Sequence, residues 1–186
     1  MKYLSRFIFN KLMGWKIVGE YPKDLKKFII IGAPHTTNMD FVLGALMKFS
    51  LGLPINFIGK KSLFKSPYGF IFRALGGIPV DRNKSDNLVQ AIVKTISERE
   101  EFILAISPEG TRSKVDKWKT GFFYIAKGAN VPIVMNAFDF KNKAYRISKP
   151  YYLTDIEKDF TFFHNFYKDI QGKHPENFNP DFYKNI

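Results

Sequence analysis

The sequence predicts an α/β fold: a single domain with a mostly β central sheet covered by helices on both faces, plus an N-terminal amphipathic helix. Two observations carry this reading. Strand-length apolar runs alternate with helix-length segments over about 120 residues, the pattern of a layered sheet. The 186 residues are about one domain's worth and enough to bury a substantial core. Cysteine is absent, which excludes disulfides, thiolate metal sites and a cysteine nucleophile. The three histidines, at 35, 164 and 174, are too scattered to suggest a metal cluster, so no metal is expected.

Residues 2–16 have helical spacing, with Leu4, Phe7, Ile8, Leu12 and Trp15 on one face. Lys2, Arg6 and Asn10 fall opposite, and Lys11 lies among the apolar positions, where its stem can snorkel. Such a helix can lie in a membrane interface or dock on its own core. Residues 19–27 read as a polar connection. Phe28 to Gly32 is a predicted strand, Met39 to Leu51 a helix and Ile55 to Gly59 a strand. Ser66-Pro67 suggests a cap followed by proline at the first helical position, opening a helix through Leu75 that Gly76-Gly77 ends. Ile78 to Val80 is a short strand. Ser85 caps a helix to about Glu100, with Leu88, Ile92 and Ile96 inward.

Phe102 to Ile106 is the next strand, Thr120 to Lys127 a helix closed by Gly128, and Val131 to Ala137 a strand. Tyr145 to Ser148 reads as one more. Thr154-Asp155-Ile156-Glu157 has the form of a capping box, starting a helix with Ile156, Phe160, Phe163, Tyr167 and Ile170 on one side. His164 falls off that stripe and reads as exposed and structural. Pro175 to Ile186 has no period and reads as a tail. There are no internal repeats. The expected divisions are an interface helix over 1–17, a core over 28–137, and a C-terminal helix and tail over 150–186.

The formal charge is +12, which calls for a polyanionic partner: nucleic acid, an anionic membrane or a phosphorylated substrate. Residues 1–27 carry seven Lys/Arg against two acids, and residues 60–84 carry six against one. Aromatics make up 17% of the chain, and that many Phe beside so much Lys suits a protein that sits on lipid. The longest apolar tract, Phe41 to Gly59, is interrupted by Lys48, Pro54 and Asn56, so it reads as a helix and a strand and not as a membrane span. Arg6 and Lys11 interrupt any signal-peptide pattern.

Three stretches carry candidate chemistry, and each follows a predicted strand, where ligands of open α/β sheets gather. The first is Ala33-Pro34-His35-Thr36-Thr37-Asn38-Met39-Asp40. Five residues of regular helix would rotate His35 and Asp40 apart, so they meet only if the chain turns between them, as Pro34 and the Thr/Asn cluster permit. If they meet, the carboxylate holds one imidazole nitrogen protonated and leaves the other to take a proton, the base-plus-orienter half of a triad. The alternative is a solvated turn histidine. The second stretch is Ser107-Pro108-Glu109-Gly110-Thr111-Arg112-Ser113. Here Gly110 lets backbone approach a ligand, Arg112 offers a fork for phosphate or carboxylate, and Glu109 can accept from Arg112 or from a substrate hydroxyl. The third is Gly76-Gly77-Ile78-Pro79-Val80-Asp81-Arg82, where Arg82 and Lys84 could hold a phosphate. The plain alternative is a solvated loop for the second stretch and a surface Arg82 paired with Asp81 for the third.

Taken in order, these stretches resemble the lysophosphatidate (1-acylglycerol-3-phosphate) acyltransferase family, the glycerolipid acyltransferases with a His-x4-Asp motif. His35 to Asp40 is similar to its first block, Gly77 to Arg82 to its second, Glu109-Gly110-Thr111-Arg112 to its third and Val131-Pro132-Ile133-Val134 to its fourth. The resemblance spans residues 28–137. It implies an α/β fold and O-acyl transfer from acyl-CoA or acyl-carrier protein, as co-substrate and without a cofactor, to a lysophospholipid hydroxyl, giving phosphatidate from 1-acylglycerol-3-phosphate. His35 would be the general base and Asp40 its orienter. Arg82 and Arg112 would hold the acceptor phosphate, with Glu109, Gly110 and Thr111 shaping that site.

The sequence departs from the family's pattern at Pro34, at Thr36-Thr37-Asn38 and at Met135, departures that leave the chemistry intact. The expected setting is peripheral, on the cytoplasmic face of an anionic membrane, with no transmembrane segment. One alternative is an acyltransferase for another lysolipid, such as an amino-acid-linked one. The other is a non-catalytic basic protein on membrane or nucleic acid. No helix-turn-helix, RNP-type or zinc signature supports nucleic acid.

Overall fold

The computed structural model describes residues 1–80 and 85–184, without the side chains of 85–87. The sheet has seven strands: β1 (Lys16–Val18), β2 (Lys27–Gly32), β3 (Ile55–Lys60), β4 (Gly77–Val80), β5 (Phe102–Ile106), β6 (Ile133–Asp139) and β7 (Ala144–Ile147). Their order across the sheet is β1-β7-β6-β2-β5-β3-β4. From β6 to β4 neighbouring strands are parallel, whereas β7 runs antiparallel to β6 and β1 parallel to β7. β2 is central, and its run Phe28 to Ile31 is buried on both sides, as expected of a parallel strand between two helical layers.

Among the described residues the α-helices are α1 (Lys2–Phe7), α2 (Asn38–Leu51), α3 (Lys61–Lys65), α4 (Gly69–Ala74), α5 (Ser85–Glu98), α6 (Gly121–Ala129) and α7 (Ile156–Tyr167). Alternation along the strands sorts them into two layers. Ile29, Ile31, Leu104, Ile133 and Met135 point toward α5, α6 and α7, where Phe122, Phe160 and Phe163 close the larger core. Phe28, Ile30, Ile103 and Val134 point the other way, toward Phe9 of the N-terminal segment and Leu43 and Met47 of α2. Phe41 of α2 meets Phe57 and Phe72 at ring distances of 5.3 and 5.7 Å, which places α4 beside α2 on this second face.

Several expectations are corrected. The N-terminal helix is α-helical only to Phe7, continues as a π-helical turn over Ile8–Leu12 and is followed by β1. Phe9 and Trp15 are buried there, while Leu4, Phe7 and Leu12 face outward. Packing against α2 and β7 therefore selected a different face from the helical stripe. In the segment read as a polar connection, Tyr21 is buried, its hydroxyl 2.6 Å from that of Tyr145 and also bonded to the Asn136 amide. Ser66 is not a cap: Ser66-Pro67-Tyr68 is the turn between α3 and α4, and its hydroxyl donates to Leu63 O.

Gly128 lies inside α6, which ends on Asn130 in the left-handed region at φ 50°. The cap of α7 is Asp155, accepting from the N–H groups of Glu157 and Lys158, because Thr154 is taken up by Asp159. His164 is half-buried, with Nδ1 2.9 Å from Pro180 O. The C-terminal tail is core: Phe182 is fully buried and stacks on Trp118 at 3.6 Å. The proposed Ser85 cap lies outside the described side chains.

Register brings the candidate stretches to one rim. Ile30, Ala105 and Phe57 are paired across three strands, so Ala33, Pro108 and Lys60 emerge at one level, and Lys60 is paired with Val80. Chain segments leaving β2, β5, β3 and β4 therefore open onto the same end of the sheet.

Candidate active site

The chain leaves β2 through a cis Ala33–Pro34 peptide and stays non-helical until Thr37, the N-cap of α2. Thr37 accepts from Met39 N–H, and Asp40, in the first helical turn, accepts from Thr37 N–H at 3.0 Å, completing a capping box. The same Oδ2 accepts from Thr36 N–H at 2.9 Å. These bonds fold residues 35–40 into a tight turn, and His35 Nδ1 comes to lie 3.2 Å from Asp40 Oδ2. The rotation that regular helix would impose is thus undone by capping geometry. Asp40 is buried and His35 partly exposed, so the pair has a fixed inner member and a reachable outer one. With Nδ1–H donating to the carboxylate, Nε2 is left as the acceptor.

Glu109 has a different partner from either one expected of it. Its Oε2 accepts the backbone N–H of His35 at 2.7 Å, with Ser107 Oγ 3.4 Å away. It is buried, and burial pushes its carboxyl up from 4.5 to about 7; the His35 and Ser107 bonds pull the other way, and the charge of Asp40 pushes further up. Glu109 therefore staples the loop after β5 to the loop after β2. Gly110 has φ +66°, where a side chain is strained, and an added Cβ would stand 3.1 Å from the Lys119 chain. Thr111 and Arg112 are exposed, and Thr111 Oγ1 accepts from Ser113 N–H. Arg82, with Asp81 and Lys84, lies outside the described residues. The site residues brought together by described contacts are therefore His35, Asp40 and Glu109.

Three supports escaped the sequence reading. Tyr167 on α7 donates its hydroxyl to Ile31 O at 2.7 Å, with Asn136 O 3.2 Å away, near the end of β2 and in the middle of β6. His174 N–H donates to Thr36 Oγ1, and a Cβ on Gly172 would come within 2.9 Å of that oxygen. Residues 172–174 therefore brace the histidine loop from the C-terminal side, a contact foreshadowed only by a glycine in an aromatic-rich tail. The third is a groove of about 350 Å³ between Leu12, Met13 and Trp15 on one side and Met39 and Leu43 on the other, with Lys143 and Lys173 among its lining residues. Met39 precedes Asp40, so one of the groove's lining residues adjoins the turn in sequence.

A histidine with an oriented Nδ1 and an accepting Nε2 can take a proton from an alcohol. Among the described residues, no group of three or more His, Cys, Asp or Glu could hold a metal ion, and no helix is long and apolar enough to cross a membrane. Residues 16–138 match a protein family described as Acyltransferase. The chain is also similar to the crystal structure of the 1-acyl-sn-glycerophosphate (LPA) acyltransferase PlsC from Thermotoga maritima. That match has a TM-score of 0.60 and 21% identity, and covers 90% of this chain and 75% of that one. No curated protein sequence matches significantly.

Proposed function

The chain belongs to the acyltransferase family, and we propose that it moves a fatty acyl group from acyl-CoA or acyl-carrier protein to the free hydroxyl of a lysophospholipid, 1-acylglycerol-3-phosphate first among them. The observation that carries this reading is the 3.2 Å contact between His35 Nδ1 and Asp40 Oδ2 at the partly open end of the sheet. His35 Nε2 removes the proton from the acceptor hydroxyl as its oxygen attacks the thioester carbonyl. Collapse of the tetrahedral intermediate re-forms the carbonyl and breaks the C–S bond, and the leaving thiolate takes up the proton from the imidazolium. General base catalysis of this kind contributes about 10²- to 10⁴-fold. Asp40 holds the tautomer, and Glu109 holds the backbone from which His35 projects.

The acceptor's anionic head is assigned to Arg112, on the exposed loop after β5, and to Arg82. Gly110 and Thr111 shape that loop. The groove lined by Leu12, Trp15, Met39 and Leu43 suits an acyl chain. The outward Leu4, Phe7 and Leu12, with Lys2, Arg6 and Lys11 on the same segment, suit a peripheral position on the cytoplasmic face of an anionic membrane.

The deciding experiment offers labelled acyl-CoA and acyl-carrier protein, each with lysophosphatidate and with lysolipids of other head groups. Labelled phosphatidate formed by the wild type and lost in His35→Ala, with the melting temperature unchanged, is the expected result. Transfer to none of the acceptors, or wild-type turnover in His35→Ala, would refute the assignment.

A further inference from the structure

The N-terminal segment is not the only part of the molecule that holds apolar side chains out into water. On α3, α4 and the turn between them, Leu63 is 43% exposed, Tyr68 67%, Phe70 67% and Ile71 42%. They stand on a stiff support. The ring of Phe64 is buried against Gly59 and Gly77, and a Cβ on Gly69 would lie 2.3 Å from Phe64 O, so the two short helices are in backbone contact. Arg73 donates to Phe64 O at 3.0 Å, and Lys48 Nζ donates to Ile55 O and Leu75 O at 2.7 and 2.6 Å, tying the far end of α4 to α2 and β3. The exposure is a property of packed helices, and no collapse of a loose loop would cover it.

Charge narrows what can cover this surface. Lys60, Lys61, Lys65 and Arg73 are exposed around the four apolar tips, and residues 55–80 contain no Asp or Glu. A second copy of this chain would bring the same cations against them, so self-association is opposed. An anionic bilayer satisfies both halves: its interface accepts aromatic and aliphatic tips, and its head groups attract lysines. The patch also shares a sheet face with the outward Leu4, Phe7 and Leu12, and exposed Val42 of α2 lies on that same face. α3 starts at the rim where His35 emerges, two strands and therefore about 10 Å across the sheet from β2.

We propose that the α3–α4 hairpin, residues 60–74, is a second membrane contact, which inserts Leu63, Tyr68, Phe70 and Ile71 into the interface of an anionic bilayer and, together with α1, lays one whole face of the sheet on the lipid. Two separated contacts fix the tilt of the molecule, and so hold the His35 rim at the depth of lipid head groups. The inference extends the membrane-facing part of the proposed function to a segment outside it, and rests on neither the acceptor nor the reaction.

Tyr68→Trp in the full chain tests it directly, since Trp15 and Trp118 are buried. With vesicles of phosphatidylcholine and phosphatidylglycerol, the new indole should shift to the blue and be quenched by bromine on the acyl chains. Tyr68→Ser with Phe70→Ser should lower vesicle partitioning by about tenfold with α1 intact. Lys61→Gln with Lys65→Gln should lower it by about fivefold per lysine on the mixed vesicles and leave it unchanged on pure phosphatidylcholine. An unquenched Tyr68→Trp on vesicle-bound protein would overturn the inference, as would unchanged partitioning of the serine variant or its conversion of a dimer to a monomer. None of these readouts needs acyl transfer. A chain that inserts residue 68 yet acylates nothing would sink the acyltransferase proposal and leave this one standing.

Discussion

The two faces of the sheet solve the same packing problem to different degrees. On the face covered by α5, α6 and α7, a cluster of aromatic rings is closed from water: Phe163 lies 5.9 Å from Phe122, 5.5 Å from Phe160 and 6.0 Å from Tyr151, and the tail adds Phe182 against Trp118. Among the described residues, its helices carry Lys94, Lys127 and Lys158 against Glu98, Glu157 and Asp159, an even balance. On the face covered by α1 to α4, large apolar residues stand in water and the charges are nearly all positive. The one acid in those four helices, Asp40, is buried and committed to His35 and the turn. A sheet needs only one layer of side chains to bury each face, and both layers leave apolar groups outside, Tyr124 and Phe162 on one and Leu63, Phe70 and Ile71 on the other, so what separates the two faces is the charge around those groups.

The contrast predicts that substitutions separate cleanly into losses of chemistry, of stability and of lipid binding. The largest effect belongs to the rim between the faces. Asp40→Asn keeps an oxygen for the Thr36 and Thr37 N–H groups but loses the charge that orients the imidazole. Turnover should fall by about 10³- to 10⁴-fold with little change in thermal midpoint. Turnover within tenfold of wild type would leave Asp40 only its capping role.

Next comes the sealed face. Phe163→Ala should cost about 3–5 kcal/mol in urea unfolding, through lost burial and the cavity left behind. A cost under about 1 kcal/mol would mean that this face is less closely packed than it looks.

Glu109 links rim to core and should make stability depend on pH. Its carboxyl rises from 4.5 to about 7 on folding, mainly through burial. The folded state therefore holds this proton more tightly than the unfolded chain. The resulting stabilisation is full below about pH 4.5 and is lost as pH rises through 7. The stability of the wild type relative to Glu109→Gln should fall by about 3 kcal/mol between pH 4.5 and 8. A difference that stays constant over that range would show that folding leaves the affinity of the Glu109 carboxyl for its proton unchanged.

The smallest effect is the sharpest contrast with Phe163. Phe70→Ser, on the open face, should change unfolding free energy by no more than about 0.5 kcal/mol, because that ring is already in water. Destabilisation comparable to Phe163→Ala would erase the distinction between the faces.

The sequence by itself determined the alternation of strands and helices, the inward stripe of α7 and the placing of His35 just beyond a strand. Each of these is written in periodicity and turn chemistry within a dozen residues. It also held the ingredients of the His35–Asp40 contact, since Thr37 and Asp40 are capping residues that act on their own neighbours. Tertiary structure decided the rest. It turned Leu4, Phe7 and Leu12 outward, placed β1 beside β7, aimed Glu109 at the backbone of His35, split the expected helix after Ser66 and drew Phe182 onto Trp118. Three of those outcomes join residues tens of positions apart: 64 between Trp118 and Phe182, 74 between His35 and Glu109, and 128 between β1 and β7. A local pattern states how much apolar surface a segment has, but which part is buried depends on what the rest of the chain brings against it.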